Sequence, residues 1–585
     1  MRKLVSYMGS VEWLQIIVFV VLTLVQVLLT LAIPDHMKHI TDLMQSSNGN
    51  LQAIAPSGAW MFVCSLGALV CAVVASGCIA YASSTVIMRM RKDLFDKILS
   101  FNLTEMKRFS ASSLITRCTN DVEQVRLFVC LGLQAAVQCP LTIAIAINKM
   151  SGRPEWMAAV LFTVLFLVVT TATLFALSVS KMAKVQRLID IVNRITKEHL
   201  TGMRVVHAYN GYELQQRQFS QTNDDLTKTS ISANRLSGAI QPFYFLCVNG
   251  LTLAIYVIGS IMIYMLPDVG EKHQLFSQMV VFATYALSAF EAFAMIIVVI
   301  AFMPRVVISM RRVAEVTETE VTISDGVATT GANGRFGTLE FRNVSFAYPG
   351  AAENALKNVS FSVEKGQTLA IIGATGSGKT TLLNLIVRFY DVTDGAVYVD
   401  GRDVRDYNLW ALRDKIGYVP QKSFLFAGTI GSNIDYGHKS GLQNTLAEIK
   451  RASEIGQSKD FIERKEGAYG ARVEEGGSNF SGGQRQRLTI SRAVCRDPEF
   501  YLFDDSFSAL DFKTDAVLRK TLRENAKDAT QVIVGQRIGS IMNADVILVI
   551  DKGMIVGQGT HQELLQTCEV YREIASSQLS SEELS

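Results

Sequence analysis

Charged residues are scarce in this sequence, and unevenly so. Asp, Glu, Lys and Arg make up 19% of its 585 residues, below the roughly 25% usual in soluble proteins. The shortage is local: residues 1–330 carry 47 such side chains, about 14%, whereas residues 331–585 carry 62, about 24%. The front half therefore reads as membrane and the back half as soluble. An excess of one sign is missing too, since the net charge is +3 and the basic residues are scattered, which argues against nucleic-acid binding. The nine cysteines show neither metal-ligand spacing nor a disulfide framework. Six of them (Cys64, Cys71, Cys78, Cys130, Cys139, Cys247) fall inside apolar stretches and read as small buried hydrophobes. No small-residue cleavage site follows the first apolar run, so that run reads as a retained membrane span.

What the front half does contain is six apolar stretches of the roughly 20 residues needed to cross a bilayer, at about 13–33, 59–82, 127–150, 156–179, 242–266 and 279–303. Trp13, Trp60 and Trp156 stand near the starts of three of them, where an indole suits the headgroup region. The connections 83–126 and 181–241 carry eight and nine Lys or Arg, against one each in 34–58, 151–155 and 267–278. Cationic loops stay cytoplasmic, which places the N-terminus and everything after the sixth span in the cytosol. The two basic connections mix apolar and charged residues at helical spacing, so the spans are expected to continue as cytoplasmic helices. A polar, glycine-containing stretch follows. The expected division is a six-helix membrane domain over 1–316, a linker over 317–337, an α/β domain over 338–575 and a flexible tail over 576–585.

The chemistry lies in the back half. Gly373-Ala-Thr375-Gly376-Ser377-Gly378-Lys379-Thr380-Thr381 follows the apolar run Leu369 to Ile372 and precedes an apolar helix, the setting of a phosphate-binding P-loop. Backbone N–H groups and the helix N-terminus favour phosphate, Lys379 reaches the β/γ oxygens, and the Thr380 hydroxyl suits Mg²⁺. The apolar run Phe500 to Phe503 ends in Asp504, a carboxylate suited to hold the same metal. Just before it, Ser481-Gly482-Gly483-Gln484 opens a second helix.

In this order the motifs resemble the nucleotide-binding domain of ATP-binding cassette (ABC) transporters, and six spans followed by that domain resemble an ABC exporter half-transporter. The resemblance implies a type I exporter membrane domain fused to a P-loop ATPase, using ATP and Mg²⁺, integral to the plasma membrane with its cassette in the cytosol. It further implies that Tyr348 stacks on adenine and that Gln421 senses Mg²⁺ and the attacking water. Ser481 to Gln484 would close on ATP held by a partner cassette, and Ser508, Ala509, Leu510 and Asp511 would form the loop through which cassettes communicate. Stretches around Ser112–Thr119 and Gly202–Ala208 resemble the coupling segments of the cytoplasmic arms.

Two positions depart from the family pattern. The family usually has Glu after the metal-binding Asp, and this chain has Asp505; it usually has a switch His further on, and this chain has Gln536. One methylene fewer withdraws the carboxylate by roughly 1 Å, a misplacement that costs on the order of 10²-fold in rate. Gln forms hydrogen bonds but does not take up a proton or a positive charge. The signature is intact apart from Phe480 in place of Leu. The chain thus resembles the degenerate-site subunit of bacterial heterodimeric multidrug exporters, with an intact signature serving a partner half-transporter.

Cargo is read from the spans. Glu291, near the middle of the sixth, either attracts cationic compounds, exchanges a proton, or pairs with a polar group across the bundle. Gln134, Gln138 and Asn249 lie at membrane depth, and Tyr244, Phe245, Phe290 and Phe293 offer aromatic surface. This inventory suits hydrophobic, amphipathic or cationic molecules of the multidrug type. A lipid or peptide exporter subunit and an ATP-gated channel or regulatory subunit remain open. A fused peptidase is not expected with a dozen residues ahead of the first span, and a DNA-associated ATPase is disfavoured by the spans.

Overall fold

The computed structural model describes residues 6–46, 51–332, 334–436 and 443–579, so the expected tail lies outside the described residues from 580 on. The chain forms two units, one of residues Met1–Leu99 and Ala111–Thr319, the other of Ser100–Ser110 and Glu320–Ser585.

Six helices in the first unit are long and apolar enough to cross a membrane. Helices α1 (Ser10–Ser46), α2 (Leu51–Leu99), α5 (Val122–Met150), α6 (Pro154–Thr201), α8 (Tyr212–Met265) and α9 (Val269–Thr317) carry them; the short helices are α3 (Leu103–Arg108), α4 (Ala111–Thr116) and α7 (Met203–Ala208). A backbone in hydrocarbon must satisfy its own N–H and C=O groups, and a helix does so within one segment. At 1.5 Å per residue the 48-residue α6 spans roughly 70 Å, well beyond a hydrocarbon core of about 30 Å, so the basic connections do continue as helix.

Between α4 and α5 the backbone makes a π-helical turn, Arg117–Asp121. The turn buries Asp121, which accepts a hydrogen bond from Ser309 Oγ at 2.7 Å, and Arg117, which donates to the Arg312 carbonyl at 2.7 Å. A second polar knot joins three spans. Asp35 on α1 accepts from Lys149 Nζ of α5 at 2.7 Å and from the buried Tyr285 hydroxyl of α9 at 2.6 Å, and that hydroxyl also lies 3.1 Å from the Leu31 carbonyl.

The second unit holds two main sheets built from strands β1 (Leu339–Phe346), β2 (Leu356–Val363), β3 (Thr368–Gly373), β4 (Asp394–Val399), β5 (Arg402–Asp403), β6 (Ile416–Val419), β7 (Phe500–Asp504), β8 (Thr530–Val534), β9 (Val546–Asp551) and β10 (Met554–Gly559). The four-stranded sheet runs β2-β1-β4-β5 and the six-stranded sheet β10-β9-β3-β8-β7-β6, in which β6, β7, β8, β3 and β9 are mutually parallel. Both faces of the larger sheet are covered, hence the continuous apolar runs. Leu369 and Ile371 enter one core with Phe500 and Leu502, and Ala370 and Ile372 enter the other with Tyr501 and Phe503, as a period of two requires.

Of the stretch 317–337 expected as a linker, the described residues from 320 on belong to this unit: Gly326 N donates to the Tyr407 carbonyl at 3.0 Å and Ala332 N to the Asp400 carbonyl at 2.9 Å. So is α3. Its Glu105 carboxylate is buried, accepting from Asn102 N at 2.8 Å, Thr322 N at 2.9 Å and Thr322 Oγ1 at 2.7 Å. Burial works to raise its pKa, but the Thr322 and Asn102 hydrogen bonds outweigh it and leave the pKa lowered. The part of the first basic connection that belongs to this second unit therefore includes Leu103–Arg108. Ser112–Thr119, which resembles a coupling segment, lies in α4 and the π turn of the membrane unit; Gly202–Ala208 coincides with α7.

Candidate active site

Strand β3 is central in its sheet, and ligands of such sheets gather at the carboxyl ends of the strands. There the chain turns into α10 (Lys379–Ile386) through the P-loop. Side chains would obstruct this turn. A Cβ on Gly373 would collide with the Ile550 carbonyl, and one on Gly378, at φ +108°, would lie 2.8 Å from Leu356 Cδ2 and 2.9 Å from the Ala355 carbonyl. Ser377 Oγ is buried without a hydrogen-bond partner, a cradle atom ready for a ligand. Thr375 and Gly376 stand exposed at the tip. Lys379 Nζ donates to the Gly373 and Ala374 carbonyls, both at 2.8 Å. Burial lowers its pKa, against the pull of the Asp505 and Asp504 carboxylates.

Thr380 Oγ1 donates to Asp504 Oδ1 at 3.0 Å. Asp504 is 2% exposed, and burial raises its pKa, opposed by the Thr380 hydrogen bond. A hydroxyl and a buried carboxylate side by side fit a divalent cation with oxygen ligands. Thr380 and Asp504 would hold Mg²⁺, whose contribution is to neutralise charge on transferring phosphoryl oxygens.

The next residue, Asp505, has φ +49°, an unusual conformation for a residue other than Gly. Its Oδ2 accepts from Gln536 Nε2 at 2.9 Å and is approached by Gln421 Nε2 at 3.5 Å. Burial raises its pKa, with the Lys379 and Arg537 charges among the opposing influences. Asp505 and Gln536, the two positions read as departures, thus touch each other, and the Gln536 and Gln421 amides are both engaged on the Asp505 carboxylate.

Tyr348 hydrogen-bonds Thr381 Oγ1 at 2.9 Å and meets Phe346 and Tyr390 edge-on, with ring centroids 4.9 and 5.3 Å away. Lys107 Nζ of α3 lies 4.7 Å from its ring centroid. The sequence reading missed Lys107: nothing in the spacing of a six-residue helix points to an aromatic ring more than two hundred residues away.

The signature caps α11 (Gly482–Cys495). Ser481 Oγ accepts from Gln484 N at 3.3 Å, and Gln484 Oε1 accepts from Ser481 N at 3.0 Å, a reciprocal capping box. Phe480 is buried among Leu425, Ile434, Ile449 and Leu488, so its replacement of Leu is a matter of core packing. A Cβ on Gly483 would lie 3.4 Å from the Ala509 carbonyl, with Gly482 in open space. Ser508 Oγ donates to the Asp505 carbonyl at 2.9 Å, Leu510 is buried, and Asp511 caps α12 (Phe512–Asn525) through Thr514 N at 2.9 Å. Among the described residues no hydrogen bond joins Ser481–Gln484 to the P-loop.

In the membrane unit Glu291 lines a cavity with Gln134 and Gln138, and no aromatic residue lines it. Phe290 is fully buried against Tyr244 at 5.7 Å, and Asn249 donates to its own helix at the Phe245 carbonyl. Tyr244, Phe245, Phe290 and Phe293 are not in the lining of this cavity: the helix turn that points Glu291 into it points Phe290 into the seam.

Comparison with known proteins gives the family and the fold. Residues 16–293 match the ABC transporter transmembrane region and residues 356–508 match ABC transporter. An uncharacterized ABC transporter ATP-binding protein of Mycobacterium tuberculosis is 36% identical over 494 residues, 84% of this chain and 83% of that protein. The ATP-dependent lipid A-core flippase of Photobacterium profundum is 30% identical over 508 residues, 86% and 84% of the two chains. A solved bacterial Atm1-family ABC exporter with ATP bound superimposes with a TM-score of 0.80 at 23% identity, covering 97% of this chain and 99% of that one.

Proposed function

The chain belongs to the ABC transporter family as an exporter half-transporter whose ATPase is coupled to transport, and from that premise we propose that it is the degenerate-site subunit of an asymmetric pump. Its own P-loop site binds ATP and hydrolyses it slowly, its signature completes the competent site of a different half-transporter, and the pair exports hydrophobic, amphipathic or cationic compounds across the plasma membrane. The observation that carries this reading is the Asp505 carboxylate held at 2.9 Å by Gln536.

On binding nucleotide, Lys379 would exchange its two P-loop carbonyls for phosphate oxygens, and Thr380 with Asp504 would hold Mg²⁺. Water would then need a carboxylate to orient it. Asp505 is one methylene short, and Gln536 is an amide that binds oxygen without carrying a positive charge. Slow hydrolysis and retained binding follow. Co-expression with a second half-transporter tests the pairing: copurification with raised ATPase activity supports it, and strong transport-coupled ATPase from this chain alone overturns it. A lipid cargo is the second reading, favoured by the similarity to lipid A-core flippases; protection of a headgroup-labelled lipid from external quencher in vesicles tests it.

A further inference from the structure

A cavity of about 320 Å³ lies between α1, α5 and α9 at the level of Glu291. Three hydroxyls on its wall are taken up by their own helices: Thr30 donates to the Gln26 carbonyl at 2.8 Å, Thr142 to the Gln138 carbonyl at 2.9 Å and Ser288 to the Thr284 carbonyl at 3.1 Å. The Glu291 carboxylate and the side-chain amides of Gln26, Gln134 and Gln138 also line it, and among the described residues none of these four side chains has a hydrogen-bond partner in the protein. No Lys, Arg or aromatic residue is in the lining.

A carboxylate at membrane depth is expensive and calls for a partner. Here the cavity offers one negative charge and three carboxamides, each with a carbonyl acceptor. Its complement is a cation that donates several hydrogen bonds. A quaternary ammonium donates none, and proteins recognise it with aromatic cages, which this lining lacks. We propose that the Glu291 cavity is a cargo site for an N–H-bearing cation, a protonated amine or guanidinium at the end of an amphipathic molecule, and that it discriminates against a quaternary ammonium carrying the same tail. This rests on the exporter reading for its purpose. A tail drawn from the bilayer gains little by exchanging lipid for apolar side chains, so the head decides selectivity.

The test uses the full chain in lipid nanodiscs without ATP and three radiolabelled probes that share one tail: hexadecylammonium, hexadecyltrimethylammonium and hexadecanol. Hydrogen bonds to a charged group correspond to about 10- to 100-fold in affinity. Hexadecylammonium is expected to bind at least about 10-fold tighter than either competitor. Glu291→Gln should weaken both cations several-fold while leaving hexadecanol unchanged, and Gln134→Leu with Gln138→Leu should narrow the margin of the ammonium over the trimethylammonium. Binding of a fluorescent ATP analogue checks that each variant is folded. Should Glu291→Gln fail to fold, Glu291→Asp keeps the charge and should keep the order of the probes with a smaller margin. Equal binding of ammonium and trimethylammonium, ammonium binding that Glu291→Gln leaves unchanged, or no saturable binding would each overturn the proposal. No step requires ATP turnover, so failure here leaves the degenerate-site reading standing, and an unexpectedly active ATPase leaves this one standing.

Discussion

On the degenerate-site proposal, Asp505→Glu with Gln536→His should wake the P-loop site, and the geometry sets how far. Asp505→Glu adds one C–C bond and advances the carboxylate by roughly 1–1.5 Å. A catalytic group misplaced by about 1 Å costs on the order of 10²-fold, or about 2.7 kcal/mol. Gln536→His replaces a neutral amide with a group able to carry positive charge, and a hydrogen bond to a charged oxygen is worth about 1.5–3 kcal/mol. The two effects do not simply add, because Gln536 Nε2 and Asp505 Oδ2 are 2.9 Å apart and residues in contact couple. The double variant should therefore hydrolyse ATP about 10²- to 10³-fold faster than the parent. Gln536→His alone should change little, since the carboxylate stays withdrawn and Gln421 still approaches it at 3.5 Å. The assay is phosphate release at saturating MgATP from the full chain in nanodiscs, with Lys379→Ala as the baseline. The measurement is made on copies of the double variant held as a cross-linked homodimer, in which each presents its Ser481–Gln484 signature to the other. A double variant within about twofold of the parent, with ATP binding unchanged, would refute the reasoning.

Three further outcomes are expected. Lys107→Met removes the cation 4.7 Å from the Tyr348 ring; at about 0.5–2 kcal/mol for such a contact, unfolding stability should fall by about that amount in chemical denaturation. Tyr285→Phe strips Asp35 of its buried donor and should lower unfolding stability by about 1–2 kcal/mol in chemical denaturation, more than Lys149→Met at the half-exposed ion pair. Burial raises the pKa of Asp504 and Asp505, so their protonated forms are favoured in the folded chain. Any stability they contribute is present below the ordinary Asp value and lost as pH rises through the raised one. Mg²⁺ needs the ionised form, so its affinity, followed by titration of the nucleotide-bound chain, should begin to fall on acidification at a higher pH than an ordinary carboxylate would give.

Legibility in the sequence followed the range of the interaction. The P-loop was readable because its work is done by consecutive residues: a strand end, glycines that admit close backbone approach, then Lys379 and Thr380 at a helix start. The spans were readable because lipid imposes length and apolarity on each segment separately. The role of Phe480 was not, since a signature neighbour and a core residue look alike until Leu425 and Leu488 are seen around it. The place of Leu103–Arg108 was not legible for a related reason: it is identified by the bonds Glu105 makes to Thr322, 217 residues on.

The sequence by itself determined the class of machine, an ABC exporter half-transporter with an ATPase domain. Those properties reside in residue identity and near-neighbour spacing, which covalent connectivity preserves. Only the tertiary structure decided that Asp505 and Gln536 are partners, that Lys107 covers the ring of Tyr348, and that Glu291 faces carboxamides in place of aromatic rings. Each of these joins segments far apart in the chain, and such contacts are selected by how whole helices and sheets bury their apolar faces, which no local pattern records.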